Sequence, residues 1–193
     1  MSIAGVDEVG RGALFGPVVA AAVILKPDAE LWLQQQGVAD SKAISSKKRE
    51  RLIPIIQSAS VDAKIGCISV RQIDQINILQ ASLQAMRQAI LHLSPQPTQC
   101  LVDGNQAIPE LSIEQQTVVK GDQSVVAIAA ASILAKVWRD TLIIRLSRRY
   151  PGYDLASNKG YGSPKHLAGL KNLGPTRYHR RSFKSCQQLS ILG

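Results

Sequence analysis

The chain has 193 residues, 45% apolar and 19% charged, which suits one globular domain that buries a core without disulfides or a structural metal. That composition excludes a disordered tail, a collagen-like repeat and a coiled coil, and the longest apolar runs, over 14–25 and 125–135, fall short of the roughly 18–20 residues of a membrane-spanning helix. Lys and Arg number 23 against 14 Asp and Glu, a net charge of +9 that points to a polyanionic partner such as nucleic acid.

In chain order, residues 2–9 form a short apolar run ending in two acids and the turn Gly10-Arg11-Gly12, which predicts a first strand. The β-branched and alanine-rich run 18–25 predicts a second. Ser45 is placed to cap a helix over 45–58 that Pro54 should kink or end. Residues 62–70 alternate around Ile65, Cys67 and Ile68 as a third strand. Apolar residues at Leu79, Leu83, Met86, Ile90 and Leu93 recur at helical spacing and predict a helix over 77–93. Short strands are expected at 99–103 and 116–120, and a long, alanine-rich, central helix at 124–148. A last helix over 163–173 has Ser163 as cap and Pro164 in its first turn. The expected architecture is a mixed α/β sheet, antiparallel at its start and parallel at its end, in one domain spanning 1–193. From about residue 156 the chain reads as a basic helical segment. Asp154 is the last acid, and seven bases follow it.

The first residues lack the basic stretch of a secretory signal. Cys67, Cys100 and Cys186 have no short spacing and read as reduced thiols, so a cytoplasmic protein is expected. No zinc pattern is present, and His92, His166 and His179 lie in unrelated contexts.

Four acids stand where charge is costly. Asp7 and Glu8 end the first strand, Asp103 ends the fourth, and Asp122 precedes the long helix. Carboxylates gathered at one sheet edge repel, and a divalent cation offsets that. Oxygen-only ligands favour Mg²⁺ or Mn²⁺ over zinc. Plainer readings stay open: Asp122-Gln123-Ser124 fits a helix N-cap, and Asp103-Gly104-Asn105 fits a turn. Adjacent strand residues point to opposite faces, so Asp7 and Glu8 share a site only if the strand ends or bulges there.

Taken together these segments resemble the ribonuclease HII family of type 2 ribonucleases H. The resemblance runs through residues 4–12 (Ala-Gly-Val-Asp-Glu-Val-Gly-Arg-Gly), Asp40-Ser41-Lys42, Ile76-Asn77-Ile78-Leu79, Val102-Asp103-Gly104-Asn105 and Lys120-Gly121-Asp122. It continues through residues 130–137 with Arg139-Asp140, then Lys159-Gly160-Tyr161-Gly162 and His179-Arg180-Arg181-Ser182-Phe183. It implies a ribonuclease H-like, five-stranded mixed sheet flanked by helices, with Asp7, Glu8, Asp103 and Asp122 as the catalytic, metal-binding acids. The implied activity is cleavage of RNA in RNA–DNA hybrids, including incision 5′ to a single ribonucleotide in duplex DNA. The implied mechanism uses two metal ions and leaves 3′-hydroxyl and 5′-phosphate ends.

The resemblance further implies that Gly10, Arg11 and Gly12 read the ribose 2′-hydroxyl and that Tyr161 senses the RNA-to-DNA junction. Lys42, Asn77 and Gln80 are candidate phosphate contacts, with a plain solvated face as the other reading of Lys42 and Gln80, and Arg180 and Arg181 either grip the substrate duplex or anchor the tail. Ser132, Lys136 and Arg139 share a helix face that either lines the site or pairs with Asp140 or Asp154. The chain departs from the family pattern at Ala13, Ala43, Trp138 and Asn158. Residues 188–191 lack the aromatic pair of a sliding-clamp-binding peptide, so no protein partner is expected, and a monomer is. Two other readings compete: a basic nucleic-acid-binding protein with structural acids, and a different two-metal nuclease on the same fold. A lack of cleavage with Mg²⁺ or Mn²⁺ would favour the first of these, and efficient cutting of all-DNA duplex the second.

Overall fold

The computed structural model describes residues 2–38 and 44–190. Five strands form one sheet: β1 (Ile3–Val9), β2 (Val18–Leu25), β3 (Ser60–Ile68), β4 (Gln99–Asp103) and β5 (Glu114–Val118), in the order β3-β2-β1-β4-β5. β1 pairs antiparallel with β2, and β2 with β3; β1 and β4, and β4 and β5, run parallel. The antiparallel start and parallel end expected from the sequence are both present. β3 begins two residues before the expected run and stops earlier, because Ser69 leaves the sheet to open the next helix. β5 likewise lies two residues upstream of the run expected at 116–120.

Both faces of the sheet are covered, which is why β2 reads as an unbroken apolar run. On one face, Ala4, Val6, Ala20 and Ala22 pack against Ala85, Met86, Ala89 and Ile90 of α3 (Val70–Leu91). On the other, Val19, Ala21 and Val23 meet α1 (Ala29–Gln35), α2 (Ser46–Ala59) and α5 (Val126–Ser147). Two glycines allow the helices to lie close. A Cβ on Gly66 would stand 1.9 Å from the Ala85 carbonyl oxygen, and one on Gly5 would stand 2.2 Å from the Ala127 carbonyl carbon.

α2 has the expected Ser45 cap, whose hydroxyl accepts from the Lys48 N–H at 3.3 Å. Pro54 does not end it: the helix runs on to Ala59, because Leu52, Ile56 and Ala59 are buried on one side and hold the last turns in place. α3 starts seven residues before the expected helix, on a reciprocal cap between Ser69 and Gln72. Its break falls at Asn77, which has φ 68° and ψ 167°. The Asn77 side-chain oxygen accepts from the N–H groups of Leu79 and Gln80 at 3.0 and 3.1 Å, so this residue caps the second, longer half.

The long helix opens in two pieces, α4 (Gly121–Ser124) and α5, separated by extended backbone at Val125. A third apolar cluster joins Leu14 and Phe15 to Ile143, Tyr153, Leu155, Leu170 and Cys186. It seats α6 (Leu155–Asn158), α7 (Pro164–Leu173) and α8 (Lys184–Ser190) against the end of α5. Ser163 caps α7 as expected. Among the described residues, no helix is long and apolar enough to cross a membrane.

Candidate active site

Because β1, β4 and β5 are parallel neighbours, their C-terminal ends lie along one edge of the sheet, where open α/β sheets bind ligands. Asp7 and Glu8 are near the end of β1, Asp103 is the last residue of β4, and Asp122 follows β5 in the first turn of α4. Asp122 does not cap a helix, since Lys120 holds the α4 N-cap position and Val125 that of α5; it is buried at 4% exposure. Asp103 ends its strand with its Oδ1 accepting from the Gly121 N–H at 2.7 Å, which ties the β4 end to the turn that carries Asp122.

β1 neither stops nor bulges at its acids. It stays in register with β2, with Asp7 opposite Ala21 and Glu8 opposite Ala20. What ends is the pairing with β4, at Val6 and Val102. Past that point β1 is paired on one side only, with β2.

The electrostatics agree. Burial pushes the Asp7 carboxyl well up, and the charges of Glu8 and Asp103 push it further; a hydrogen bond from Ser132 and one from the Glu8 N–H at 2.7 Å offset part of this. Burial also raises Glu8, the Arg11 guanidinium at 3.3 Å opposes that, and Asp103 adds to it. Among the described residues no three His, Cys, Asp or Glu side chains are drawn together closely enough to hold an ion as they stand. Glu8 is turned to Arg11 and Asp103 to Gly121, so ligation would exchange these partners. The donor set itself fits a hard divalent cation: it is all oxygen, and its innermost member is raised by neighbouring negative charge that a cation would neutralise.

The α5 face, expected either to line the site or to pair with Asp140 or Asp154, divides its work. Ser132 bonds Asp7. Lys136 pairs with Asp140 at 3.0 Å and lies 5.5 Å from the Tyr161 ring centre. Arg139 is fully buried and donates to the carbonyls of Phe15, Pro17 and Lys159 at 2.9, 3.0 and 2.9 Å, with its guanidinium also 5.5 Å from the Tyr161 ring. Gly10 has φ 89°, and a Cβ there would stand 2.2 Å from Arg139 Nε. Arg11 and Gly12 are exposed, and nothing lies within 4 Å of where a Gly12 Cβ would point.

Arg180 settles on the second of its two expected roles. It is fully buried, out of a duplex's reach, and donates to the Gly16 and Arg11 carbonyls at 3.0 and 2.8 Å. Its place among substrate contacts is therefore corrected to a strut beneath the Gly-Arg-Gly loop. Arg181 is exposed, and its backbone N–H is held by Asp74. Gln80 is exposed, Asn77 has spent its side-chain oxygen on capping, and Tyr161 is half-buried. Lys42, with Asp40, Ser41 and Ala43, lies outside the described residues.

Two of the departures have local reasons. The Ala13 N–H donates to the Gly10 carbonyl at 3.3 Å, a bond that proline lacks. The Asn158 side-chain oxygen accepts from the Gly160 N–H at 2.8 Å, and its amide donates to the Tyr153 carbonyl at 2.7 Å, which stiffens the turn before Tyr161. Sequence reasoning passed over His166 and His179, which meet in the interior. Thirteen residues separate them, and no local pattern signals such a contact.

The family model for ribonuclease HII matches residues 4–186. The chain belongs to the ribonuclease HII family. Ribonuclease HII of Acaryochloris marina is 63% identical over 185 residues, covering 96% of this chain and 93% of that protein. Ribonuclease H2 of Pyrococcus horikoshii superposes with a TM-score of 0.84 at 25% identity, over 100% of this chain and 98% of its own. The ribonuclease HII of Archaeoglobus fulgidus, solved in complex with PCNA, superposes with a TM-score of 0.81 at 28% identity, over 95% and 96% of the two chains. As a ribonuclease HII, this protein is a divalent-metal-dependent endoribonuclease, and its family cuts RNA in RNA–DNA hybrids.

Proposed function

We propose that this ribonuclease HII incises RNA–DNA hybrids and also duplex DNA on the 5′ side of a single embedded ribonucleotide, leaving 3′-hydroxyl and 5′-phosphate ends. Asp7, Glu8, Asp103 and Asp122 would hold two divalent ions, Mg²⁺ or Mn²⁺. When bound, such a pair activates the attacking water and stabilises the leaving 3′ oxygen. The observation that carries this reading is the mutual electrostatic burden of Asp7, Glu8 and Asp103 at the end of two parallel strands.

The chain's own residues supply placement. Ser132 orients Asp7, and the Gly121 N–H orients Asp103. Arg139 and Arg180 hold the loop carbonyls, that of Arg11 included, from inside, which would present the exposed Arg11–Gly12 segment to a ribose 2′-hydroxyl. Tyr161, with Lys136 and Arg139 beside its ring, would pack on the sugar past the junction. Arg181, Asn77, Gln80 and Lys42 remain candidate contacts to the flanking phosphates. A monomer in the cytoplasm is the simplest setting, and Cys67, Cys100 and Cys186, none of them in a disulfide, accord with a reducing compartment.

The deciding experiment maps the cut in a duplex containing one ribonucleotide, with Mg²⁺ and with Mn²⁺. A 5′-side cut is expected; efficient cutting of all-DNA duplex would remove the 2′-hydroxyl reading. Tyr161→Ala should slow incision at the lone ribonucleotide more than degradation of a continuous hybrid, and equal losses count against its junction role. Gly12→Ala meets no neighbour within 4 Å, so its melting temperature should match wild type. Its cleavage rate should nonetheless fall about tenfold, the scale of one lost close contact to substrate.

A further inference from the structure

His166, on α7, and His179, between α7 and α8, are 0% and 1% exposed, and their Nε2 atoms lie 3.1 Å apart. Two neutral imidazole nitrogens at that distance share one proton. The groups at the two ends of the pair decide which ring carries it. The Thr176 N–H, which can only donate, points at His179 Nδ1 from 2.9 Å. His179 therefore carries its proton on Nε2 and donates it to His166 Nε2. His166 in turn carries its proton on Nδ1, 2.8 Å from the carbonyl oxygen of Tyr161, which can only accept. One tautomer of each ring satisfies the whole chain of contacts.

The rings are held firmly. Phe15 and Tyr153 pack on His179 with ring centres 5.0 and 4.9 Å away. Burial lowers both imidazoles, His179 to about 3 with the help of His166, so both stay neutral near neutral pH. The same stretch of chain reaches the other reading loop, since Arg180 donates to the Arg11 and Gly16 carbonyls. The two loops also touch directly, through the Leu14 N–H bonded to the Gly160 carbonyl at 2.8 Å.

We propose that His166, its tautomer set by His179, is a positioning residue that fixes Tyr161 relative to the Gly10-Arg11-Gly12 loop and thereby sets the preference for a lone ribonucleotide over a continuous hybrid. This rests on the reading of Tyr161 as the junction sensor. The histidines touch no substrate; they act through the Tyr161 backbone.

Two variants of one residue separate positioning from packing. His166→Asn keeps a donor near the Nδ1 position and gives up the partner of His179. His166→Gln keeps a polar group near Nε2 and gives up the donor to Tyr161. The readout is the rate at a single ribonucleotide divided by the rate on a continuous hybrid, measured with Mg²⁺ alongside Tyr161→Ala. The ratio should stay within about twofold of wild type for His166→Asn and fall at least about fivefold for His166→Gln, the scale of one hydrogen bond. Equal ratios in the two variants overturn the proposal.

Nitrogen-15 spectra of the wild-type imidazoles give a test that needs no variant to fold. His166 is expected as the Nδ1–H tautomer and His179 as the Nε2–H tautomer, and any other pairing overturns the proposal. An unchanged ratio in Tyr161→Ala defeats the junction reading itself. A lowered ratio there with an unmoved His166→Gln defeats only the role of the histidines.

Discussion

Asp7→Asn is expected to cut hybrid cleavage by at least about 10³-fold, the scale of several kcal/mol of lost transition-state stabilisation. The same variant, held in chelator, is expected to melt above wild type. The two results have one cause. Asp7 is buried beside Glu8 and Asp103, and its carboxyl is raised well above the ordinary range. Between the ordinary value and the raised one, the folded chain holds a proton that the unfolded chain has released. Stability attributable to Asp7 therefore falls as pH rises through that window and levels off above it.

Asparagine removes the charge and can still accept from Ser132 and the Glu8 N–H, so this pH-dependent loss should vanish. Added Mg²⁺ or Mn²⁺ should raise the melting temperature of wild type and leave the variant nearly unmoved. Thermal melts with and without metal, across pH, check all three expectations. A chelated variant that melts below wild type would show that the buried carboxylate supports the fold instead of burdening it.

Gly5→Ala should be among the most destabilising single-methyl additions in the chain. Its Cβ would stand 2.2 Å from the Ala127 carbonyl carbon and 2.4 Å from the Ile128 nitrogen, both backbone atoms that no side-chain rotation can move. Either α5 lifts off β1 or β1 bends, at a cost of about 3 kcal/mol, the upper end for overpacking. For a chain of this size that lowers the melting temperature by about 10 °C. α5 also carries Ser132 against Asp7, so lifting it slows cleavage even in the folded fraction. Denaturation melts and single-turnover rates measure the two effects separately. A variant that melts with wild type and cuts at the wild-type rate would mean that α5 does not bear on β1 this closely.

Much of the fold was legible because its signals are local and periodic. β2 and β4 have the bounds that their apolar runs give, and Ser45 and Ser163 start the helices they cap. Pro54 misled because burial of Leu52, Ile56 and Ala59 outweighed one missing hydrogen bond. The helix before Asn77 was missed because its start depends on a side-chain exchange between Ser69 and Gln72, which a stripe of apolar residues does not display. In the candidate site, the acids drew notice because charge at the end of an apolar strand is unusual. The two histidines did not, and Arg180 left two roles open, because their partners are distant in sequence and are mostly backbone atoms. Adjacent arginines in a basic stretch look alike as letters; only the fold shows that Arg180 is interior and Arg181 is not.

The bonds from Arg180 to Arg11 and Gly16 join positions 169 and 164 residues apart. During translation the loop over 10–17 leaves the ribosome long before its inner support does. A nascent chain reaching only residue 170 would contain every acid of the quartet and still lack the strut that shapes its ribose-reading loop. Competence to cut would then wait for the segment around Arg180, and a product stalled before it would be a poor nuclease.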